Sequence, residues 1–303
     1  MELCHNPALA TEITLQPLKK FNLDAAILFC DILVTAEALG SKLDIVEKKG
    51  PVIANPITCR QDLQQLLKNE EALHALDFVA TTLGQLRREL GANKALLGFA
   101  GAPFTVACYM IEGGSSVHIT RVFRMIQEEP QLFHDLLERL TDLTIGYVHM
   151  QRRNGVDAVQ IFESWASLLP QDVYLRAVMP HLQRLLQAIH DPQHPTILFA
   201  LAGRGLWEKL LQLPVQAASV GPNLDLHEFS TLAHGKCLQG NLDPRWLLCP
   251  QPRFLEQAGL LLATMRGRSA GYIFNLGHGI LQQTPEDHVR ALVDLVSAGD
   301  VWT

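Results

Sequence analysis

At four places in the chain a chemically competent side chain stands where an apolar run ends. These are Asp31, Glu163-Ser164, the stretch from Asn241 to Asp243, and Asn275-Leu276-Gly277-His278-Gly279. Asp31 offers a fixed negative charge, and by position alone it serves equally as a cap for the helix that follows. Ser164 offers a hydroxyl to a ligand carboxylate, or caps the next helix. His278 sits between two glycines, which lets the backbone come close to a ligand. Tyr109, just ahead of Gly113-Gly114, can reach a bound carboxylate, or be a core tyrosine with its hydroxyl at the surface.

These residues need elements to bring them together, and the hydrophobic pattern supplies a rhythm of apolar run, turn and amphipathic helix. The runs are Ala25–Asp31, Ala95–Gly101, Ala158–Ser164, Thr196–Gly203, Ala217–Pro222, Lys236–Leu242 and Gly271–Gly279. Each is nearly all apolar, as expected of parallel strands buried on both faces. Between them, Gln61–Leu90, Gln131–Arg152, Arg176–Ile189 and Phe254–Met265 repeat apolar residues at three- and four-residue spacing, the period of a helix. The alternation predicts an α/β fold with a parallel sheet. At 303 residues a TIM-type (β/α) barrel leads, with a doubly wound open sheet as runner-up. The first strand runs into Phe29-Cys30-Asp31-Ile32 rather than a glycine fingerprint, which disfavours a dinucleotide site. In a barrel the polar strand ends converge on one mouth. The count, however, is seven strands where closure wants eight.

Composition narrows the function classes. With 48% hydrophobic and 18% charged residues the chain is an ordinary folded protein. Its net charge of −6 argues against a nucleic-acid binder but leaves room for an anionic small molecule held by a local cluster of donors. No apolar run is long enough for a membrane span, and the start carries no secretion signal. Six cysteines without CxxC spacing suit reduced thiols in the cytoplasm. His234-Gly-Lys-Cys237 is the nearest approach to a metal motif and lacks further ligands.

With those residues in view, a family resemblance emerges. Leu23-Asp24-Ala25-Ala26-Ile27-Leu28-Phe29-Cys30-Asp31-Ile32-Leu33 resembles the first signature of uroporphyrinogen decarboxylases, with Cys30 in a usual Ser position. Gly98-Phe99-Ala100-Gly101-Ala102-Pro103-Phe104-Thr105 and Tyr109-Met110-Ile111-Glu112-Gly113-Gly114-Ser115-Ser116 resemble the second. Gln239-Gly240-Asn241-Leu242-Asp243-Pro244 and Asn275-Leu276-Gly277-His278-Gly279-Ile280 resemble the last two. The matches keep family order from about Leu3 to Val296.

The resemblance implies a single barrel domain over residues 1–303 and a homodimer. It also implies decarboxylation of the four acetate side chains of uroporphyrinogen to methyls, in haem biosynthesis, without metal or organic cofactor. Protonating a pyrrole carbon makes a cationic ring that takes up the electrons released as CO2 leaves. A carboxylate beneath the pyrrole N–H groups stabilises that cation. By this likeness Asp31 is the catalytic carboxylate, Tyr109, Ser164 and His278 hold substrate carboxylates, and Ile27 and Phe99 are apolar lining.

The chain also departs from the family pattern. The family opens with Arg-Gln-Ala-Gly-Arg-Tyr, and no such stretch is present from Met1 to Leu23. The expectation is a barrel without its first βα unit, roughly thirty residues. Decarboxylation is expected to suffer from the loss of arginines that grip substrate carboxylates in bidentate fashion. Where the family has Phe-Thr-Lys-Gly-Gly, this chain reads Phe199-Ala200-Leu201-Ala202-Gly203. Gly-Leu-Asp-Trp-Thr is replaced by Ser219-Val220-Gly221-Pro222-Asn223. Two other readings compete. A methyltransferase of the same superfamily would carry zinc on a His-x-Cys pair and a later Cys, and Leu201-Ala202-Gly203 offers no such ligand. A barrel remnant without catalysis is the other.

Overall fold

The computed structural model describes residues 1–47 and 49–298. Nine strands form, in chain order: β1 Ala25–Ile27, β2 Leu43–Val46, β3 Gly50–Ile53, β4 Ala95–Gly101, β5 Ala158–Glu163, β6 Thr196–Ala200, β7 Ala217–Val220, β8 Cys237–Gln239 and β9 Tyr272–Ile273. Seven of them make one parallel sheet in the order β1-β4-β5-β6-β7-β8-β9, and β2 with β3 is a separate antiparallel hairpin. All seven apolar runs are therefore strands, though most are shorter than their runs because the polar ends turn out of the sheet. The hairpin escapes the apolar pattern because Leu43–Val46 is largely exposed.

The sheet curls with one face inward, and its register says which side chains share that face. Leu97 pairs with Ala158, Gly101 with Phe162, Phe162 with Phe199, Phe199 with Ser219, and Ser219 with Gln239. Side chains two residues apart point the same way, so Gln160, Phe162 and Ser164 of β5 and its end form one inward column. The sheet stays open: β1 pairs only with β4 and β9 only with β8. Among the described residues no eighth strand joins β9 to β1, as the strand count anticipates.

Helices cover the outer face. Pro130–Arg153 begins with proline at its first turn, where the missing N–H costs nothing. It buries Leu132, Phe133, Leu136, Leu137, Leu140 and Leu143 against the sheet and its neighbours. Gln61–Leu90, read as one helical stretch, is broken into Arg60–Gln64, Asn69–Ala75 and Asp77–Leu90. The first break arises because the Leu67 N–H donates to the Leu39 carbonyl at 2.9 Å and Lys68 is extended. The stretch before Ile189 is likewise two helices, Gln171–Ala177 and Met179–Ala188, since Pro180 has no N–H to continue the ladder. Helix Pro7–Lys20, ahead of β1, meets helix Glu286–Ser297, behind β9. Lys20 Nζ lies 2.6 Å from Glu286 Oε2, and Arg290 donates to the Lys20 carbonyl at 2.9 Å. No helix among the described residues is long and apolar enough to cross a membrane.

Candidate active site

After Ile27 the chain leaves the sheet, and two contacts shape the segment that carries Asp31. The Phe29 N–H donates to Thr14 Oγ1 at 2.9 Å, tying the segment to helix Pro7–Lys20. Asp31 Oδ1 then accepts from the Leu33 N–H at 2.8 Å, a local turn just ahead of the short helix Val34–Ala38. The capping alternative for Asp31 is not realised, because Leu33 holds the N-cap position without a side-chain cap bond. Oδ2 has no hydrogen-bond partner among the described residues, and Asp31 lines a pocket of about 600 Å³ together with Ile27, Phe99, Phe162 and Ser164.

Those same four residues line a second pocket of about 450 Å³, which also takes in His278, Asn275, Gln160 and Ser219. The two pockets therefore form one continuous cleft at the C-terminal ends of the strands. Asp31, Ser164, His278, Ile27 and Phe99 all face it. Tyr109 does not line either pocket. It sits half-buried on helix Pro103–Glu112, its ring 4.4 Å from that of Trp165, with Ser115 beside its hydroxyl. Burial raises its phenol above the ordinary tyrosine range, and the nearby Asp31 charge adds to this. It is thus near enough to Asp31 to feel its charge without lining either pocket.

The cleft walls are braced from outside. In β4 the even-numbered residues bond to β5, so Phe99 turns its N–H and C=O toward the side that β1 has left. Gln151, wholly buried in helix Pro130–Arg153, takes both. Phe99 N–H donates to Oε1 at 2.9 Å, and Nε2 donates to the Phe99 carbonyl at 2.8 Å. Gly98 makes room, since a Cβ there would stand 2.1 Å from Gln151 Oε1. The His278 loop is fixed in the same manner: Gly277 N–H donates to the Leu242 carbonyl at 2.8 Å, and a Cβ on Gly277 would meet Pro222 N at 2.7 Å. Asn241 donates to the carbonyls of Gly221 and Leu224, and Asp243 accepts from the Arg245 N–H. Both are polar strand-end residues with structural work.

Glu163, beside Ser164, points the other way. It is fully buried against Thr105 Oγ1, which donates to it at 2.8 Å, with the Tyr174 phenol adjacent. Burial raises its pKa to about 8, which the hydrogen bonds only partly offset, so it is mostly protonated at neutral pH. The cleft itself has no arginine or lysine among its lining residues.

The two departures at β6 and β7 lie side by side: a Cβ on Gly221 would stand 2.6 Å from Leu201 Cδ2. Lining residues that sequence reading passed over are Gln160, Phe162, Phe199 and Ser219. The two-residue period of each strand was the signal that marks most of them.

Comparison with known proteins adds a consistent picture. Residues 1–299 match the family model described as Uroporphyrinogen decarboxylase (URO-D). The uroporphyrinogen decarboxylase of Desulfotalea psychrophila is 40% identical over 296 residues, spanning 98% of this chain and 86% of that protein. That of Thermus thermophilus is 39% identical over 297 residues, 97% of this chain and 85% of the other. Among solved structures, a methyltransferase from Methanosarcina mazei superposes with a TM-score of 0.77 at 18% identity, covering 97% of this chain and 86% of that one. At that identity the likeness speaks for the barrel fold alone.

Proposed function

The chain belongs to the uroporphyrinogen decarboxylase family, and from that premise we propose that Asp31 is the carboxylate on which its decarboxylation turns. The reaction removes the carboxyl groups from the four acetate side chains of uroporphyrinogen III, giving coproporphyrinogen III. At each acetate a proton added to the pyrrole carbon makes the ring cationic. The electron pair of the C–CO2 bond then flows into the ring as CO2 departs, leaving an exocyclic methylene. A proton added to that methylene completes the methyl, and the ring carbon gives back the proton it took up, restoring the pyrrole.

The observation that carries this reading is the free Oδ2 of Asp31 in a cleft lined by Ile27, Phe99 and Phe162. A carboxylate already held by a backbone N–H needs little reorganisation when positive charge appears before it. At ~4 Å and an effective dielectric of about 20, one charge pair is worth about 4 kcal/mol, roughly a thousandfold in rate. Ser164 and His278 then hold substrate carboxylates along the cleft. Tyr109 contributes after a side-chain movement or through Asp31. Ile27 and Phe99 pack on the macrocycle.

Along the cleft the substrate carboxylates meet the Ser164 hydroxyl and the His278 imidazole. Two chains pair with their clefts facing; exposed Ile27 and Ile280 at the rim favour such cover. The free thiols suit the cytoplasm. Anaerobic incubation with uroporphyrinogen, with chromatography of the partly decarboxylated porphyrins, tests the proposal. Stepwise loss of carboxyl groups supports it, and no product at any enzyme concentration refutes it.

A further inference from the structure

On the outer face of the molecule, helix Pro130–Arg153 lies against helix Met179–Ala188, and three metal-ligating side chains meet at their contact. His134 and Glu138 are one helical turn apart on a shared face, and His181 comes from the facing helix. One ligand atom from each lies within 4.8 Å of the other two. Among the described residues no other group of three His, Cys, Asp or Glu side chains converges so closely.

The details suit a cation better than a network of hydrogen bonds. His134 Nδ1 is 3.2 Å from His181 Nε2, and His181 Nδ1 is 2.9 Å from Glu138 Oε1. The second contact brings the buried His181 Nδ1 close to the carboxylate, and no other partner meets that nitrogen among the described residues. The carboxylate is held in place from behind. Arg184 Nη2 is 2.9 Å from Glu138 Oε2 and 2.7 Å from Asp142 Oδ1. Oε1 is thereby left to the histidines, and Asp142 offsets the guanidinium charge. Fixing a ligand's orientation by such an outer partner is a general feature of metal sites. A groove of about 660 Å³ runs beside the three residues, wide enough for an ion to enter and for water to complete its coordination.

We propose that His134, Glu138 and His181 form a binding site for a divalent transition-metal ion, zinc in the first place. Two imidazole nitrogens and one carboxylate oxygen are a donor set that zinc takes readily. The ion adds a link between two helices already joined by packing and by the Arg184 ion pairs to Glu138 and Asp142, so its effect is on stability and it takes no part in the chemistry of the cleft. Coordination displaces any proton on the ligating nitrogens, so affinity falls in acid.

The test uses the full chain stripped with a chelator and titrated with Zn2+ and, separately, Co2+. The expected result is one ion per chain and a higher melting temperature with zinc. His134→Ala and Glu138→Gln each weaken zinc binding by at least about tenfold and remove the thermal gain. The exposed position of His134 lets that variant fold normally. Bound Co2+ should show visible d–d bands without the near-ultraviolet charge-transfer band of a cobalt thiolate, which separates this site from the cysteines. Undiminished binding in both variants, a thiolate spectrum, or no binding by the unmodified chain overturns the proposal.

Discussion

Gln151 holds the peptide of Phe99 at both ends, accepting from its N–H at 2.9 Å and donating to its carbonyl at 2.8 Å. A helix side chain thus does for β4 what a neighbouring strand would do, at the point where β1 turns away to present Asp31. Because both backbone groups are buried, neither can turn to water instead. Gln151→Leu is expected to destabilise the protein by about 2–5 kcal/mol, the cost of two stranded polar groups. Chemical denaturation of the two proteins checks this, and a loss below 1 kcal/mol would mean the groups find other partners.

Glu163 makes stability depend on pH in a direction that can be worked out. Its folded pKa of about 8 lies above the ordinary 4.5, so the native state keeps a proton that the unfolded chain has released. The stability this group contributes is complete below about 4.5 and is lost as pH climbs to about 8. Glu163→Gln keeps an acceptor for Thr105 and removes the titration. Its melting temperature should therefore fall less than that of the unmodified protein between pH 6 and pH 8.5. Parallel slopes in the two proteins would show that Glu163 ionises without penalty.

Leu201 and Gly221 should behave as a coupled pair. Leu201→Lys alone places an unpaired ammonium at the mouth, and Gly221→Asp alone collides with the leucine. Together they recreate the acid–base pair of the family pattern. A double-mutant cycle by denaturation is expected to return a favourable coupling of about 1 kcal/mol. Additive losses would mean that the two departures are independent.

The fold was legible in the sequence because parallel strands buried on both faces leave unbroken apolar runs, and all seven runs became strands. The open sheet followed from the same count. What stayed hidden was set by tertiary contacts. The break at Leu67 depends on a carbonyl at Leu39, far away in sequence. Asp31, Ser164 and His278 were readable as strand-end polar residues, and they do share the cleft. Tyr109 lies against the Trp165 ring and lines neither pocket, a neighbourhood that its distance from Gly113-Gly114 does not reveal. The His134–Glu138–His181 cluster was invisible, because its two helices come together only through the fold.

Carboxylate binding, as distinct from the chemical step, should answer to His278. His278→Ala is expected to raise KM more than it lowers kcat, since its proposed role is the same in ground and transition states. Steady-state kinetics on partly decarboxylated substrates measure the two constants separately. A fall in kcat with KM unchanged would show that His278 acts in the chemical step and not in holding the carboxylates.

The central claim rests on one charge, and one comparison reaches it. Asp31→Asn keeps the shape of the side chain and the bond to the Leu33 N–H, and removes the negative charge. The rate of anaerobic uroporphyrinogen decarboxylation should fall roughly a thousandfold, with circular dichroism and melting temperature nearly unchanged. An Asp31→Asn enzyme that forms coproporphyrinogen at the unmodified rate would contradict the account.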